Sequence, residues 1–168
     1  MPYRRPARLA REHELDDFDC GEPALDEWLK RHARAAEASE SARVFVVTGD
    51  GATVVACYAL AAAQVESRSA TPRAAKGLPS RPIPAILLAR LAVDRRHQSR
   101  GLGRSLLQDV MLRCVAAADE IGVRVLLVHA KNERAKRWYE QYGFEESPTD
   151  RLHVMLLMKD LRRFIDSL

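Results

Sequence analysis

Cysteine is scarce in this chain: its 168 residues include only Cys20, Cys57 and Cys114. The count is odd and the spacings are wide, which argues against a disulfide framework and against a CxxC zinc site. It suits reduced thiols in a cytosolic protein. Long apolar runs are also missing. The longest, Val54 to Ala63, falls far short of the ~20 residues that a membrane span needs. Met1 to Arg11 is basic but has no apolar core, so it does not read as a secretory signal. His13, His32, His97, His129 and His153 are scattered with no HxxxH or HExxH pairing, so no metal site is expected. No internal repeat and no low-complexity block is visible. A soluble, cytoplasmic protein is the expectation.

What is present is ordinary globular composition, 47% hydrophobic and 30% charged, which argues against a disordered or fibrous chain. The length suits one domain spanning residues 1–168. A domain this size buries about 70% of its unfolded surface and needs no staples. Basic residues outnumber acidic ones 27 to 23, a net charge of +4, and the pI is about 9.2. That balance favours an anionic partner without amounting to a nucleic-acid-binding arm.

Apolar spacing predicts a helix over Ala24 to Ala38, opened by Glu22-Pro23. Arg43 to Thr48 and Thr53 to Val65 read as strands joined through Gly49-Asp50-Gly51, an antiparallel hairpin. Glu66 to Pro84 holds Pro72, Pro79, Pro82 and Pro84 and reads as an irregular excursion. Loops this long inside a compact domain usually carry a function, so it is a substrate or partner candidate. Then come a strand at Ala85 to Val93, a glycine loop at Asp94 to Gly103 and a helix at Arg104 to Ile121. The helix carries an apolar stripe of Leu106, Leu107, Val110, Met111 and Cys114. Val123 to His129 is a strand, Asn132 to Tyr142 a helix closed by Gly143, Leu152 to Met158 a strand and Arg162 to Leu168 a short helix. Strand–helix–strand implies a parallel pair. The fold class expected is α/β: a mixed sheet, antiparallel at its N-terminal part and parallel at one pair, with helices on both faces.

The glycine loop carries the chemistry. It leaves an apolar strand and opens a helix, and Gly101 and Gly103 let the backbone approach a ligand. Free N–H groups at a helix start bind phosphate, assisted by the helix dipole. Arg95, Arg96, Arg100 and Arg104 add positive charge. The spacing is neither GxGxxG nor a Walker loop.

Gln98-x-x-Gly101-x-Gly103 resembles the (Arg/Gln)-x-x-Gly-x-(Gly/Ala) motif of the GNAT acetyltransferase superfamily. The run from Asn132 through Trp138-Tyr139-Glu140-Gln141-Tyr142-Gly143-Phe144 resembles that superfamily's later Asn…(Phe/Trp)-Tyr-x-x-x-Gly-Phe motif. A narrower resemblance covers nearly the whole chain. Phe18-Asp19-Cys20-Gly21, Arg31-His32-Ala33-Arg34, Pro82-Ile83-Pro84, Leu88-Ala89-Arg90-Leu91-Ala92-Val93-Asp94 and Val128-His129-Ala130-Lys131-Asn132 look like GNAT toxins of bacterial toxin–antitoxin pairs. Departures are Ser99 and Ala89, where glycine is frequent.

The resemblance implies acetyl-CoA as cofactor. Its pyrophosphate would lie on Arg95, Gln98, Ser99, Arg100, Gly101, Leu102, Gly103 and Arg104, and its pantetheine arm on the backbone of Leu91, Ala92 and Val93 and on Asn132. It implies acetylation of the α-amine of aminoacyl-tRNA, which blocks translation. It also implies a ribbon-helix-helix antitoxin and a homodimer, with no membrane and no metal involved.

Tyr139 is the catalytic candidate, because a phenol with a pKa near 10 stays protonated at neutral pH and can protonate a leaving thiolate. The competing reading makes it a core aromatic beside Tyr142 and Phe144. Asn132 either caps its helix or bonds the pantetheine amide. No strong general base stands out: Asp94 and Glu140 read as solvated charges. An α-amine, with a pKa of ~8, needs little help from a base. The backbone N–H groups of Leu91 to Val93 would stabilise the oxyanion. Arg34, Arg90, Lys131 and Lys136 are the substrate-binding candidates on a basic rim suited to an RNA backbone. Two other functions fit the motifs: acetylation of protein N-termini or small amines, and an acyl-CoA-binding regulatory partner without turnover.

Overall fold

The computed structural model describes residues 3–166. Met1 and Pro2 of the basic N-terminal stretch, and Ser167 and Leu168 of the expected last helix, lie outside the described residues. A two-residue strand, β1 (Ala7–Arg8), comes first. Pro23 lacks an N–H and has a fixed φ, which suits the first turn of a helix, and α1 (Pro23–Arg31) begins there. The single helix expected to reach Ala38 is in fact two. At His32 (φ −120°) the chain leaves helical geometry, and α2 (Ala33–Ala38) follows.

Strands β2 (Arg43–Thr48) and β3 (Val54–Val65) form the expected antiparallel hairpin, with Arg43 opposite Leu60 and an irregularity between Val47 and Thr48. The segment expected to be irregular is partly helical. It contains a 3₁₀ turn at Ser67–Ser69 and α3 (Pro72–Ala75), whose first turn is capped by Thr71, the hydroxyl accepting from Ala74 N at 3.2 Å. Strand β4 (Ile83–Val93) starts two residues earlier than predicted.

Helix α4 (Leu102–Glu120) starts at Leu102 rather than Arg104, so Gly103 lies inside its first turn. Its predicted stripe of Leu106, Leu107, Val110, Met111 and Cys114 is fully buried. Truncating a buried leucine of this kind costs about 2–5 kcal/mol. Then come β5 (Val125–His129), α5 (Glu133–Glu140), β6 (Glu145–Glu146), β7 (His153–Leu157) and α6 (Met158–Asp166). The last helix begins four residues before the expected Arg162.

The strands hydrogen-bond in the order β1-β2-β3-β4-β5-β7-β6. The pair β4–β5 is parallel, Ala85 to Leu88 lying opposite Val125 to Val128. The pairs β1–β2, β2–β3, β5–β7 and β6–β7 are antiparallel. This is the mixed α/β sheet that the sequence predicts.

The chain divides into two compact units. One takes in the chain up to Ala61 together with Ala89–Asp109, the other Ala62–Leu88 together with Val110 onward. Each has its own core. The first packs Leu15, Phe18, Leu29, Val44, Val54 and Ala92. The second packs Val65, Ala74, Ile83, Val125, Met155 and Leu157. In the second, Ala70, Ala74 and Ile83 bury the segment expected to be a loose excursion. Polar ties hold it further: Arg73 bonds Asp160 (2.6 and 2.9 Å) and Glu145 (2.9 Å), and the Ser147 hydroxyl donates to Ser69 O (2.7 Å).

Candidate functional site

In the first unit, the glycine loop is built by a buried carboxylate. Asp94 caps the 3₁₀ turn Arg95–His97 and is 1% exposed. It accepts from the Arg96 backbone N–H (2.9 Å), the Arg96 guanidinium (2.9 Å through both Nε and Nη2) and Asp19 N (3.1 Å). Burial by itself would raise its pKa. The Arg96 pair and the two backbone donors outweigh that and pull it down to about 2. Asp94 is therefore not the solvated charge expected from sequence, and its low basicity and full set of donors unsuit it to general-base work.

The loop's arginines and glutamine are engaged with the protein itself. Arg95 Nη2 bonds Asp19 Oδ1 at 3.0 Å, and Arg96 Nη2 donates to Asp17 O at 2.9 Å. Gln98 Nε2 donates to Val93 O (2.9 Å) and Cys20 O (3.1 Å), fastening the loop to the end of β4 and to the segment before α1. Arg100 Nη1 donates to the Tyr3 hydroxyl (3.2 Å), which also bonds His97 Nδ1 (2.9 Å). These side chains fasten the loop.

The backbone is left to face a ligand. Gly101 has φ +82°, and a Cβ there would meet no atom within 4 Å, so the surface above it is open. The conformation, rather than crowding, calls for glycine. Ser99 also adopts a positive φ, +62°, which costs an ordinary residue on the order of 1 kcal/mol. A non-glycine residue at this position therefore carries backbone strain.

The first turn of α4 holds no acidic residue, and the opening N–H groups of a helix have no acceptor within it. Leu102 is buried and so contributes its backbone only, while Arg104 adds charge to the same turn. An open glycine, unengaged N–H groups and surrounding arginines fit a pyrophosphate. On β4, Ala92 packs into the first core, whereas Leu91 and Val93 are half-buried on the opposite face.

Two of the substrate candidates are also in this unit, and both are partnered. Arg90 lies over the Trp28 ring at 5.1 Å and donates to Ala89 O (2.8 Å). Arg34 donates to His13 O at 2.6 Å.

In the second unit, Asn132 caps α5, its Oδ1 accepting from Ala135 N at 2.8 Å. The capping role is realised, and the side-chain amide N–H groups remain for a ligand. Tyr139 is 8% exposed, its ring edge-on to Trp138 (5.0 Å) and Phe144 (5.5 Å). The core-aromatic reading holds for the ring but not for the hydroxyl, which makes no hydrogen bond among the described residues. Among the described residues no buried side-chain N or O lacks a partner, so that hydroxyl reaches the surface. Burial pushes the phenol above its ordinary pKa of 10.

Lys136 is buried and paired with Glu146, so it braces α5 against β6 and does not line a basic rim as expected. Lys131 is exposed. His129 and His153 stack at 3.8 Å, with Asp150 3.3 Å from His153. Burial and the neighbouring His153 lower the His129 pKa, against a smaller opposing pull from Asp150. Among the described residues no three His, Cys, Asp or Glu side chains gather as metal ligands. No helix among them is long and apolar enough to cross a membrane. Burial raises the thiols of Cys57, further raised by Cys20 and Asp26, and of Cys114 to about 12 each.

Comparison with known proteins agrees with this chemistry. Residues 40–146 match the acetyltransferase (GNAT) domain model. The chain is 47% identical over 163 residues to a Mycobacterium tuberculosis protein named tRNA-acetylating toxin, covering 97% of both chains. Among solved structures it resembles AtaT complexed with acetyl-methionyl-tRNAfMet. The TM-score is 0.89 at 25% identity, over 96% of this chain and 98% of that one. It also resembles a tyrosine-to-phenylalanine mutant of the AtaT toxin bound to the C-terminus of the antitoxin AtaR and acetyl-CoA. There the TM-score is 0.83 at 26% identity, over 99% of each chain. On the match of residues 40–146 to the GNAT domain and the end-to-end similarity to the Mycobacterium tuberculosis protein, the chain belongs to the GNAT acetyltransferase family and is an N-acetyltransferase.

Proposed function

We propose that this enzyme transfers the acetyl group of acetyl-CoA to the α-amine of aminoacyl-tRNA and so blocks translation. The observation that carries the reading is the 47% identity, over 97% of both chains, to a protein named tRNA-acetylating toxin. Residues 1–168 act as one catalytic domain in the cytoplasm. The toxin works as a homodimer and is neutralised by a ribbon-helix-helix antitoxin, a partner supported by the AtaT structure that contains an antitoxin C-terminus.

When bound, acetyl-CoA supplies an activated acetyl thioester. The backbone N–H groups of the Gly101–Arg104 turn hold its pyrophosphate, with the positions of Arg95, Gln98, Ser99 and Arg100 shaping that turn. The N–H and C=O groups of Leu91, Ala92 and Val93, with the Asn132 amide, hold the pantetheine arm. A backbone N–H of Leu91 to Val93 donates to the carbonyl oxygen as negative charge develops there. The amine nitrogen forms a C–N bond as the C–S bond breaks. Tyr139 gives its proton to the departing sulfur, and the proton lost by the amine restores the phenol. Its raised pKa keeps Tyr139 loaded with that proton throughout the neutral range. Lys131, exposed though partnered within the protein, adds positive charge for the RNA backbone. Arg34 and Arg90 add positive potential from partnered positions.

The test is in vitro translation with the purified protein, with and without acetyl-CoA, followed by mass spectrometry of RNase-treated aminoacyl-tRNA. Cofactor-dependent arrest with N-acetylated aminoacyl-adenosine is the expected result. Unimpaired translation with unmodified tRNA, while acetyl-CoA still binds, would move the enzyme to protein N-termini or small amines.

A further inference from the structure

The second unit carries a cationic feature that the chemistry above does not use. A concavity of about 450 Å³ has five charged lining residues, all of them cations: Arg73, Lys76, Arg124, Lys159 and Arg162. Two of these are neutralised by neighbours. Arg73 pairs with Asp160 and Glu145, and Arg162 pairs with Asp119 at 2.8 Å. The other three keep their charge. Arg124 donates through Nε to Ala74 O (3.1 Å) and through Nη2 to Lys76 O (3.0 Å), and both acceptors are neutral carbonyls. Lys76 and Lys159 make no ion pair with any described residue.

The five cations meet only three carboxylates, Asp160, Glu145 and Asp119, so the hollow keeps a net positive charge that an anion placed in it relieves. The hollow is also built. Arg124 ties it to the α3 segment, and Met158 N donates to Arg124 O at 2.9 Å, seating the start of α6 against it. It lies at the Val125 end of β5, whereas Asn132 follows the His129 end, ~13 Å along the strand. The occupant is therefore distinct from whatever the α5 cap holds.

Lysine ammonium groups act as point charges for phosphate, and arginine forks bind its oxygens in pairs. A roomy, solvent-open hollow with several separate cations suits consecutive backbone phosphates better than one small carboxylate. We propose that this pocket binds backbone phosphates of the acceptor RNA, at a position remote from the reacting amine. The inference rests on the aminoacyl-tRNA reading above and gives that substrate a second foothold.

The experiment measures binding of an uncharged acceptor-stem RNA hairpin by fluorescence anisotropy, from about 50 to about 200 mM salt. The proteins are the wild type, Lys76→Ala/Lys159→Ala and Lys76→Glu/Lys159→Glu. Neither lysine side chain makes a bond that the fold needs, so melting temperatures should match. The alanine pair should weaken binding on the order of 10-fold at low salt and flatten the slope of log K against log salt by about two. The glutamate pair should weaken it more. Acetylation of a small α-amine acceptor should be unchanged in both. Unchanged RNA affinity and salt slope would overturn the pocket assignment, even if the wild type acetylates aminoacyl-tRNA. Loss of antitoxin binding with RNA binding intact would also overturn it and give the pocket to the protein partner. Weakened RNA binding supports the pocket whether or not acetylated tRNA is then found, because acetylation separately tests the proposed activity.

Discussion

Between Asp94 and Leu102, nearly every polar side chain is tied to another group of the protein. On α5, by contrast, the Tyr139 hydroxyl has no hydrogen-bond partner among the described residues. Gln98 holds Val93 O and Cys20 O, and Arg95 and Arg96 hold Asp19 and Asp94. The Tyr139 ring is wedged between Trp138 and Phe144 with its oxygen left over. The difference matches the roles proposed for the two regions. A phosphate cradle works through backbone N–H groups, so its side chains are available to fix the backbone. A proton donor works through its own side-chain atom, so the packing must grip the ring and leave the oxygen unpaired.

If that contrast is right, the largest effect comes from the unengaged hydroxyl. Tyr139→Phe should lower kcat on the order of 10²–10⁴-fold. Acetyl-CoA affinity, measured by calorimetry, should not change. A parallel loss of cofactor affinity would mean that the ring, and not its proton, was the contribution.

The second effect belongs to the loop. Asp94→Asn removes the negative partner of Arg96 and should lower the unfolding free energy by about 2–4 kcal/mol in urea titrations. It should weaken acetyl-CoA binding as the turn loosens. The wild type should show the matching acid behaviour. The folded Asp94 pKa lies below its ordinary value, so its contribution is present above pH ~4 and is lost as pH falls toward ~2. Its size is on the order of 2 kcal/mol, and Asp94→Asn should lack this component.

The third effect is in the pH–rate profile, measured with a hydrolysis-resistant α-amine acceptor. The acceptor amine must be neutral, so kcat/KM should rise about tenfold per pH unit up to pH ~8. It should then stay level through pH ~10, because burial holds the Tyr139 proton beyond the point where an ordinary phenol loses it. A decline centred near pH ~10 would mean an unperturbed tyrosine.

The smallest effect is at Ser99. Ser99→Gly should stabilise the protein by up to ~1 kcal/mol through relief of the positive φ. Turnover should be unaffected, since no Ser99 side-chain contact takes part in the chemistry.

Local structure was legible in the sequence because it depends on neighbours in the chain. The strand–glycine loop–helix unit, the Leu106-to-Cys114 stripe and the Asn132 cap need only the 2.0 and 3.6 periodicities, the special conformations of glycine and capping chemistry. What was not legible depends on which partners folding brings together. Lys136 reads as a free cation until Glu146 is found beside it, and Arg90 until Trp28 lies beneath it. Asp94 reads as a surface carboxylate until Asp19 and Arg96 close over it. Residues 66–84 read as loose because their prolines are visible. Their anchors, Arg124, Ser147 and Asp160, stand 48 to 87 residues away. The break at His32 carries no proline or glycine to announce it.

The three cysteines have a practical consequence. Cys57 and Cys114 are buried, with thiols raised to about 12, so at neutral pH they hold essentially no thiolate and resist maleimides and peroxide alike. Cys20 is only partly buried, and its own carbonyl is an acceptor for Gln98 of the glycine loop. A single-site fluorophore attached there, without engineering the sequence, would sit at the anchor of the cradle and report in real time whether the turn is fastened or released.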